Sequence, residues 1–207
     1  GKFLNVLDLD IQNGKIKDFK FTLLPIFSDL IPENKEMKKY IEDVRAPFKK
    51  DLDRVIATTD DTLFRRGNFN GSWDQIICDA LVDVKDAEIS LSPGFRWGPT
   101  VLANEDIKMS DIYSHTAITY PNVYKRELTG ENIKNILEDV ADNIFNPDPY
   151  LQQGGDMVRT TGISYKITPR NKINNRLSDI RTKDGKKLIN NKKYAVCGWA
   201  SVNSEET

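Results

Sequence analysis

From Arg65 to Gly98 the sequence runs a loop, a helix and a strand together without a break, and this unit limits what the rest of the chain can build around it. The run Arg65-Arg66-Gly67-Asn68-Phe69-Asn70-Gly71-Ser72 is polar and glycine-rich, which marks a loop. Trp73, Ile76, Ile77, Ala80, Leu81 and Val84 then recur at helical spacing and share one face. Ser72 is placed to cap that helix, with Gln75 three residues on as the other half of a capping box. The stretch from Ala87 on reads as a short apolar strand that runs into Pro93-Gly94 and stops. An arginine-bearing loop therefore stands at each end: Arg65 and Arg66 before the helix, Arg96 after the strand. If the helix packs back on its strand, these arginines converge on one anion.

A length of 207 residues suits one domain with additions, enough for a proper core. Basic and acidic residues nearly cancel, 30 against 31, which argues against a general nucleic-acid or membrane surface while leaving room for local basic patches. No apolar run approaches the roughly 18 residues of a membrane span, and the first residues show no signal-peptide pattern. The sequence opens in mid-strand and closes without a terminating element, so it reads as an excerpt of a longer protein. Two cysteines, Cys78 and Cys197, are too few for a disulfide framework and fit buried thiols. The single histidine, His115, excludes a metal site built on several histidines, and no Asp/Glu cluster has ligand spacing. No tightly held catalytic metal is expected in this chain.

Phe3 to Leu9 and Ile16 to Leu23 alternate around Asn13-Gly14, a hairpin turn. Pro25 to Pro32 is a connector. Asn34 to Ile56 carries Met37, Tyr40, Ile41, Val44, Phe48, Leu52 and Val55 at helical spacing, with Pro47 placed to kink or split the helix. Asn104 to Tyr113 reads as a turn and a short helix capped by Ser110, and a strand broken by Pro121 lies within Ala117 to Leu128. Thr129 caps the next helix, whose buried face is Ile133, Ile136, Leu137, Val140, Ala141 and Ile144. A proline- and glycine-rich loop, Asn146 to Gly155, leads to strands at Met157–Ile167, Leu177–Thr182 and Tyr194–Ala200, with Asp184-Gly185 turning the chain between the last two. Interspersed helices and strands joined by short hairpins predict an α+β fold with a mixed sheet.

The helix and the strand after it resemble the C-terminal domain of the 5′-nucleotidase family. That family's Ser-Asn-x-x-Gly-Asn-Leu-Ile-Ala-Asp-Ala helix and Gly-Gly-Gly-x-Arg turn appear here as Asn70-Gly-Ser-Trp-Asp-Gln-Ile-Ile-Cys-Asp-Ala80 and Ser92-Pro-Gly-Phe-Arg96. The departures point to one branch of the family. The loop Arg65 to Gln75, the Ser92–Gly98 turn, His115-Thr-Ala-Ile-Thr-Tyr-Pro121 and Asn146-Pro-Asp-Pro-Tyr-Leu-Gln-Gln-Gly-Gly-Asp-Met-Val-Arg159 are similar to the SoxB thiosulfohydrolase branch.

This resemblance implies a division at 1–31, the tail end of a metallophosphoesterase domain; 32–58, a linker helix; and 59–207, a 5′-nucleotidase C-terminal-like substrate-recognition domain. It implies a periplasmic hydrolase that releases sulfate from a cysteine S-thiosulfonate on the arm of a sulfur-carrier protein complex. Two manganese ions are expected in an N-terminal domain outside this sequence, leaving the present chain inactive by itself. The rival readings are a 5′-nucleotidase or nucleotide-sugar hydrolase and a non-catalytic module that docks the carrier. The family's Pro-Phe-Gly-Asn turn, whose Phe stacks on a base, is replaced here by Ala-Ile-Thr-Tyr-Pro, which counts against a nucleotide substrate.

Arg96 leads the candidate residues, because a guanidinium gives a planar fork suited to sulfonate or phosphate oxygens. It matches the family's substrate-anion arginine; a surface ion pair is the plain alternative. Arg65 and Arg66 stand near further family arginines, with the choice between them open. His115 is a general acid, a donor to substrate or a structural ring. Gly154, Gly155 and Asp156 suit a pocket rim, and Arg159 either serves the anion or pairs with Asp156. Tyr120 lies in the altered turn. Trp199 stands near the family's second stacking aromatic and is otherwise a core residue.

Overall fold

The structure, a computed structural model, describes residues 3–27, 29–95, 98–116 and 122–199. Arg96 and Tyr120 lie outside the described residues. The chain forms two units, residues 1–50 and 51–207.

In the first unit, strands β1 (Phe3–Gln12) and β2 (Lys15–Pro25) form an antiparallel hairpin. Asn13 and Gly14 turn it with φ of 52° and 73°, the pair of positive angles that lets a two-residue turn match strand twist. Leu7 faces Phe21 and Leu9 faces Phe19, so one side of the hairpin is apolar. Helix α1 (Lys35–Arg45) begins where the Asn34 side chain accepts the Met37 amide at 2.9 Å. Pro47 interrupts the helical path, as its ring and missing N–H require: a 3₁₀ turn covers Ala46–Phe48 before α2 (Lys49–Leu52). The helix ends at Leu52 rather than Ile56. Val55 is claimed by a strand, and pairing with residues fifty positions away overrides local spacing.

The second unit runs β3 (Val55–Thr58), α3 (Ser72–Lys85), β4 (Ile89–Ser92), β5 (Asp106–Lys108), α4 (Met109–Thr116), β6 (Val123–Thr129), α5 (Gly130–Phe145), β7 (Arg159–Thr161), β8 (Ile163–Ile167), β9 (Leu177–Thr182) and β10 (Lys193–Trp199). The main sheet has the order β6-β10-β4-β7, with β10 parallel to β4 and antiparallel to β6. The pairs β3-β5 and β8-β9 stand as separate ribbons. This is the mixed α+β architecture that the alternation of elements implies.

Thr129 caps α5 as its sequence predicts, accepting the Asn132 amide at 3.1 Å. Ile133, Ile136, Leu137 and Ala141 pack onto Leu91, Val196 and Met157 of the sheet layer. A side chain such as Leu137, fully buried, contributes about 1.5–3 kcal/mol by leaving water. The expected single strand Met157–Ile167 is divided at Gly162, which has φ +86°; a Cβ there would lie 2.0 Å from the Glu88 carbonyl oxygen.

Helix α3 departs from its predicted face and cap. Ile76, Ala80 and Val84 are exposed, while Trp73, Asp74, Cys78 and Leu81 are buried, so the inward stripe is turned toward a carboxylate. Gly71 stands at the N-cap, and its amide donates to the Asp74 carboxylate at 2.9 Å. Ser72 instead accepts the Phe64 amide and donates to the Thr62 carbonyl, tying the helix start to the loop before it. At α4 the expected Ser110 cap is replaced by Asp111, whose carboxylate accepts the Lys108 amide at 2.8 Å.

Candidate functional site

The buried carboxylate of Asp74 organises the site. Its Oδ1 accepts Arg65 Nε at 2.7 Å, and its Oδ2 lies 3.3 Å from Arg159 Nε. Arg159 reaches on to Asp156 at 3.3 Å. Two guanidiniums and two carboxylates thus face one another with side chains at most 1% exposed. Burying a charge costs several kcal/mol unless it is paired, and here the formal charges cancel.

The same cations hold backbone. Arg65 donates to the His115 carbonyl at 2.9 Å and, more weakly, to the Pro93 carbonyl at 3.5 Å. Arg159 donates to the Gly67 carbonyl at 2.8 Å. Asn70 pairs with Thr160 in both directions, at 2.8 and 3.1 Å, and the Met157 amide donates to the Asn68 carbonyl. Gly94 fits tightly beside this segment: a Cβ there would stand 2.5 Å from the Met157 carbonyl oxygen. The cluster therefore locks together the 65–71 loop, the turn after β4, the end of α4 and the approach to β7.

Arg65, Asp156 and Arg159 are thus internal and engaged with protein partners, and Arg159 does pair with Asp156. Arg66, next in sequence, is exposed and forms no ion pair among the described residues. Of the two adjacent arginines, it is the one open to a solute. Gly154 and Gly155 are exposed, with φ of +82° and +92° and open space where a Cβ would go. Their backbone angles require glycine, and their surroundings do not.

His115 lies in the last turn of α4, 1% exposed, stacked on Trp73 with ring centroids 4.6 Å apart. Its Nε2 faces the Pro99 carbonyl at 3.0 Å and so carries the proton, while Nδ1 has no hydrogen-bond partner among the described residues. Burial, and after it the Arg65 cation, lowers its pKa, so the ring is neutral at pH 7. Gly98 backs directly onto this ring; with φ +93°, a Cβ there would lie 2.3 Å from the imidazole. Trp199 is 7% exposed, donates to Ser92 Oγ at 2.7 Å and packs with Leu81 and Cys197. It is a core residue in this arrangement.

Sequence reasoning missed Asp74, the centre of the cluster. Its signal was available: an acidic residue three positions after Gly71, next to Trp73 in the first turn of a helix, with two arginines elsewhere in glycine-rich surroundings.

This arrangement defines a buried, charge-paired cluster that ties loops together on a mixed α+β fold. Residues 55–204 match the family model described as 5′-nucleotidase, C-terminal domain, and the chain belongs to that family. Among solved structures it is similar to the Thermus thermophilus sulfate thiohydrolase SoxB in complex with glycerol: 30% identity, TM-score 0.90, covering 96% of this chain and 37% of that one. A 5′-nucleotidase precursor, also from Thermus thermophilus, matches at 17% identity and TM-score 0.77, covering 96% of this chain and 40% of that one. The Haemophilus influenzae NAD nucleotidase matches at 14% identity and TM-score 0.61, covering 97% and 44%. The last two show the fold alone. The chain spans about two fifths of the length of these structures. No curated protein matches.

Proposed function

We propose that this chain is the substrate-recognition part of a SoxB-like hydrolase that releases sulfate from a cysteine S-thiosulfonate on a carrier-protein arm. The observation that carries this reading is the likeness to a sulfate thiohydrolase at 30% identity over 96% of the chain, against 17% for the 5′-nucleotidase precursor. The Asp74 cluster supports it physically. It fixes the loop bearing Arg66, so less freedom is lost when that guanidinium grips an anion. In the reaction, water adds at the sulfonate sulfur, the bond to the neighbouring sulfur breaks, and its electron pair stays on the carrier persulfide. A cation held near the sulfonate favours the charge that develops there.

On this reading the parent enzyme works in the periplasm with the carrier complex as partner. Its two manganese ions would sit in a further domain. Among the described residues no group of three or more His, Cys, Asp or Glu is arranged to hold a metal ion.

The test uses the full-length protein with two substrates, a synthetic S-thiosulfonated cysteine peptide and AMP. Sulfate release from the first and no phosphate release from the second is the expected result. Arg66→Ala should slow sulfate release by about ten- to a hundredfold, since a charge-assisted hydrogen bond contributes roughly 1.5–3 kcal/mol. Phosphate release from AMP at a comparable or higher rate would overturn the proposal in favour of a nucleotidase.

A further inference from the structure

Charge is distributed unevenly along this chain. Residues 163–193 contain ten Lys or Arg against two Asp or Glu, although the whole chain carries a net charge of −1. Asp179 is shared between Lys166 and Arg181, and Asp184 is taken by Lys186. Arg170, Lys172, Lys183 and Lys187 are exposed and form no ion pair among the described residues.

Two of these cations stand on a cleft. It has a volume of about 650 Å³ and opens between the end of α5 with its following loop and the 169–176 segment. That volume falls within the roughly 300–1,000 Å³ of ordinary ligand sites. Ile144, Phe145 and Pro147 form one apolar wall, and Pro169 and Ile173 the other. Arg176 lies within, 2% exposed. Its Nη1 donates to Asp142 at 2.6 Å and its Nε to the Pro169 carbonyl at 3.2 Å. Its Nη2 makes no hydrogen bond among the described residues. That edge of the guanidinium belongs to a charged donor on the cleft lining, and it suits an acceptor brought from outside. Asp142 is the one acidic lining residue, and Arg176 neutralises it. The cleft thus combines net positive charge with apolar walls, and it shares no residue with the Asp74 cluster.

We propose that this cleft docks an acidic segment of a protein partner. One apolar side chain of the partner seats between the walls, and its carboxylates meet Arg170, Lys172 and the Nη2 edge of Arg176. The basic excess continues past the cleft through Lys183 and Lys187, a wider field than a small anion needs, and such a field steers an acidic partner toward the cleft. The walls are aliphatic and proline-lined apart from the half-buried Phe145, so a nucleic-acid base finds little flat surface to stack on.

The probe is a fluorescein-labelled Asp-Glu-Leu-Asp-Glu peptide, titrated with the full-length protein and followed by fluorescence anisotropy at low and at physiological salt. Saturable binding is expected. Arg170→Glu with Lys172→Glu should weaken it at least tenfold, and Ile173→Ser several-fold. Replacing the probe's Leu by Ser should also weaken it several-fold. Lys183→Glu with Lys187→Glu, away from the walls, should cost less than threefold. Melting temperatures of all variants confirm that they fold. Three results would each overturn the proposal: no saturation below millimolar peptide, equal losses from the two double reversals, or tighter binding of a single-stranded oligouridine than of the peptide.

Discussion

Asp74→Asn is the sharpest test of how the site is held. The substitution keeps the side-chain shape and removes the one charge that lies between Arg65 and Arg159. Only Asp156 would then face two buried guanidiniums. Breaking a buried pair by removing one partner costs about 3–5 kcal/mol, because the remaining charge is left uncompensated. The amide oxygen can still accept the Gly71 amide, so loss of the helix cap adds little. For a unit of this size, each kcal/mol moves the melting temperature by roughly 2–4 °C, which gives a fall of about 6–20 °C. Thermal melts and urea titrations of wild type, Asp74→Asn and the control Asp83→Asn, an exposed position on the same helix, measure the effect. The control should stay within about 0.5 kcal/mol. If Asp74→Asn melts within about 2 °C of wild type, less than the smallest fall worked out above, the cluster does not hold the loops together, and the account of why Arg66 is rigidly presented fails with it.

His115 should make stability pH-dependent. Its folded pKa lies below the unfolded value, so the stability it confers is complete above about pH 6.5 and drains away as the pH falls below that. Urea midpoints from pH 8 to 5 should show this decline, and His115→Gln should flatten it; identical slopes would mean the ring is not held neutral. Gly98→Ala should destabilise by about 1–3 kcal/mol, since it forces a side chain into a left-handed position and against the imidazole. In a His115→Ala background the part of that penalty due to the ring should vanish in chemical denaturation while the backbone part remains, and persistence of the full penalty would assign it to the backbone alone. Cys78, its thiol pushed up to about 12 by burial, and the equally buried Cys197 should not react with a disulfide reagent until the protein unfolds. A fast stoichiometric reaction in the native state would refute their placement.

Local chemistry made some elements legible and long-range packing hid others. Asn13-Gly14 and Thr129 carry their instructions within a few residues, and the structure follows them. The inward face of α3 does not, because periodicity counts apolar side chains and cannot foresee that Asp74 turns inward to meet arginines 9 residues before and 85 residues after it. Arg65 and Arg66 are chemically identical neighbours. Only the fold sends one inside and leaves the other at the surface. Trp199 is similar: an aromatic near a family stacking position, drawn into the core by a bond to Ser92, 107 residues away. The rotation of α3 also explains why Ile76 and Val84, which read as core, stand exposed.

The position of β10 has a consequence for how the protein is made. β10, the last strand among the described residues, lies inside the main sheet, between β6 and β4, so neither neighbour has its final partner until residues 193–199 exist. Val196 pairs with Ile89, 107 residues upstream. At synthesis rates of about 5–20 residues per second, β4 waits on the order of 5–20 s for its parallel partner after it is made. During that time the ladder edges of β4 and β6 that will meet β10 are open to any other strand. The chain depends in this interval on whatever shields those edges, and a ribosome stalled before residue 193 would hold a half-built sheet, with helices α3 and α5 already formed and no closed core beneath them.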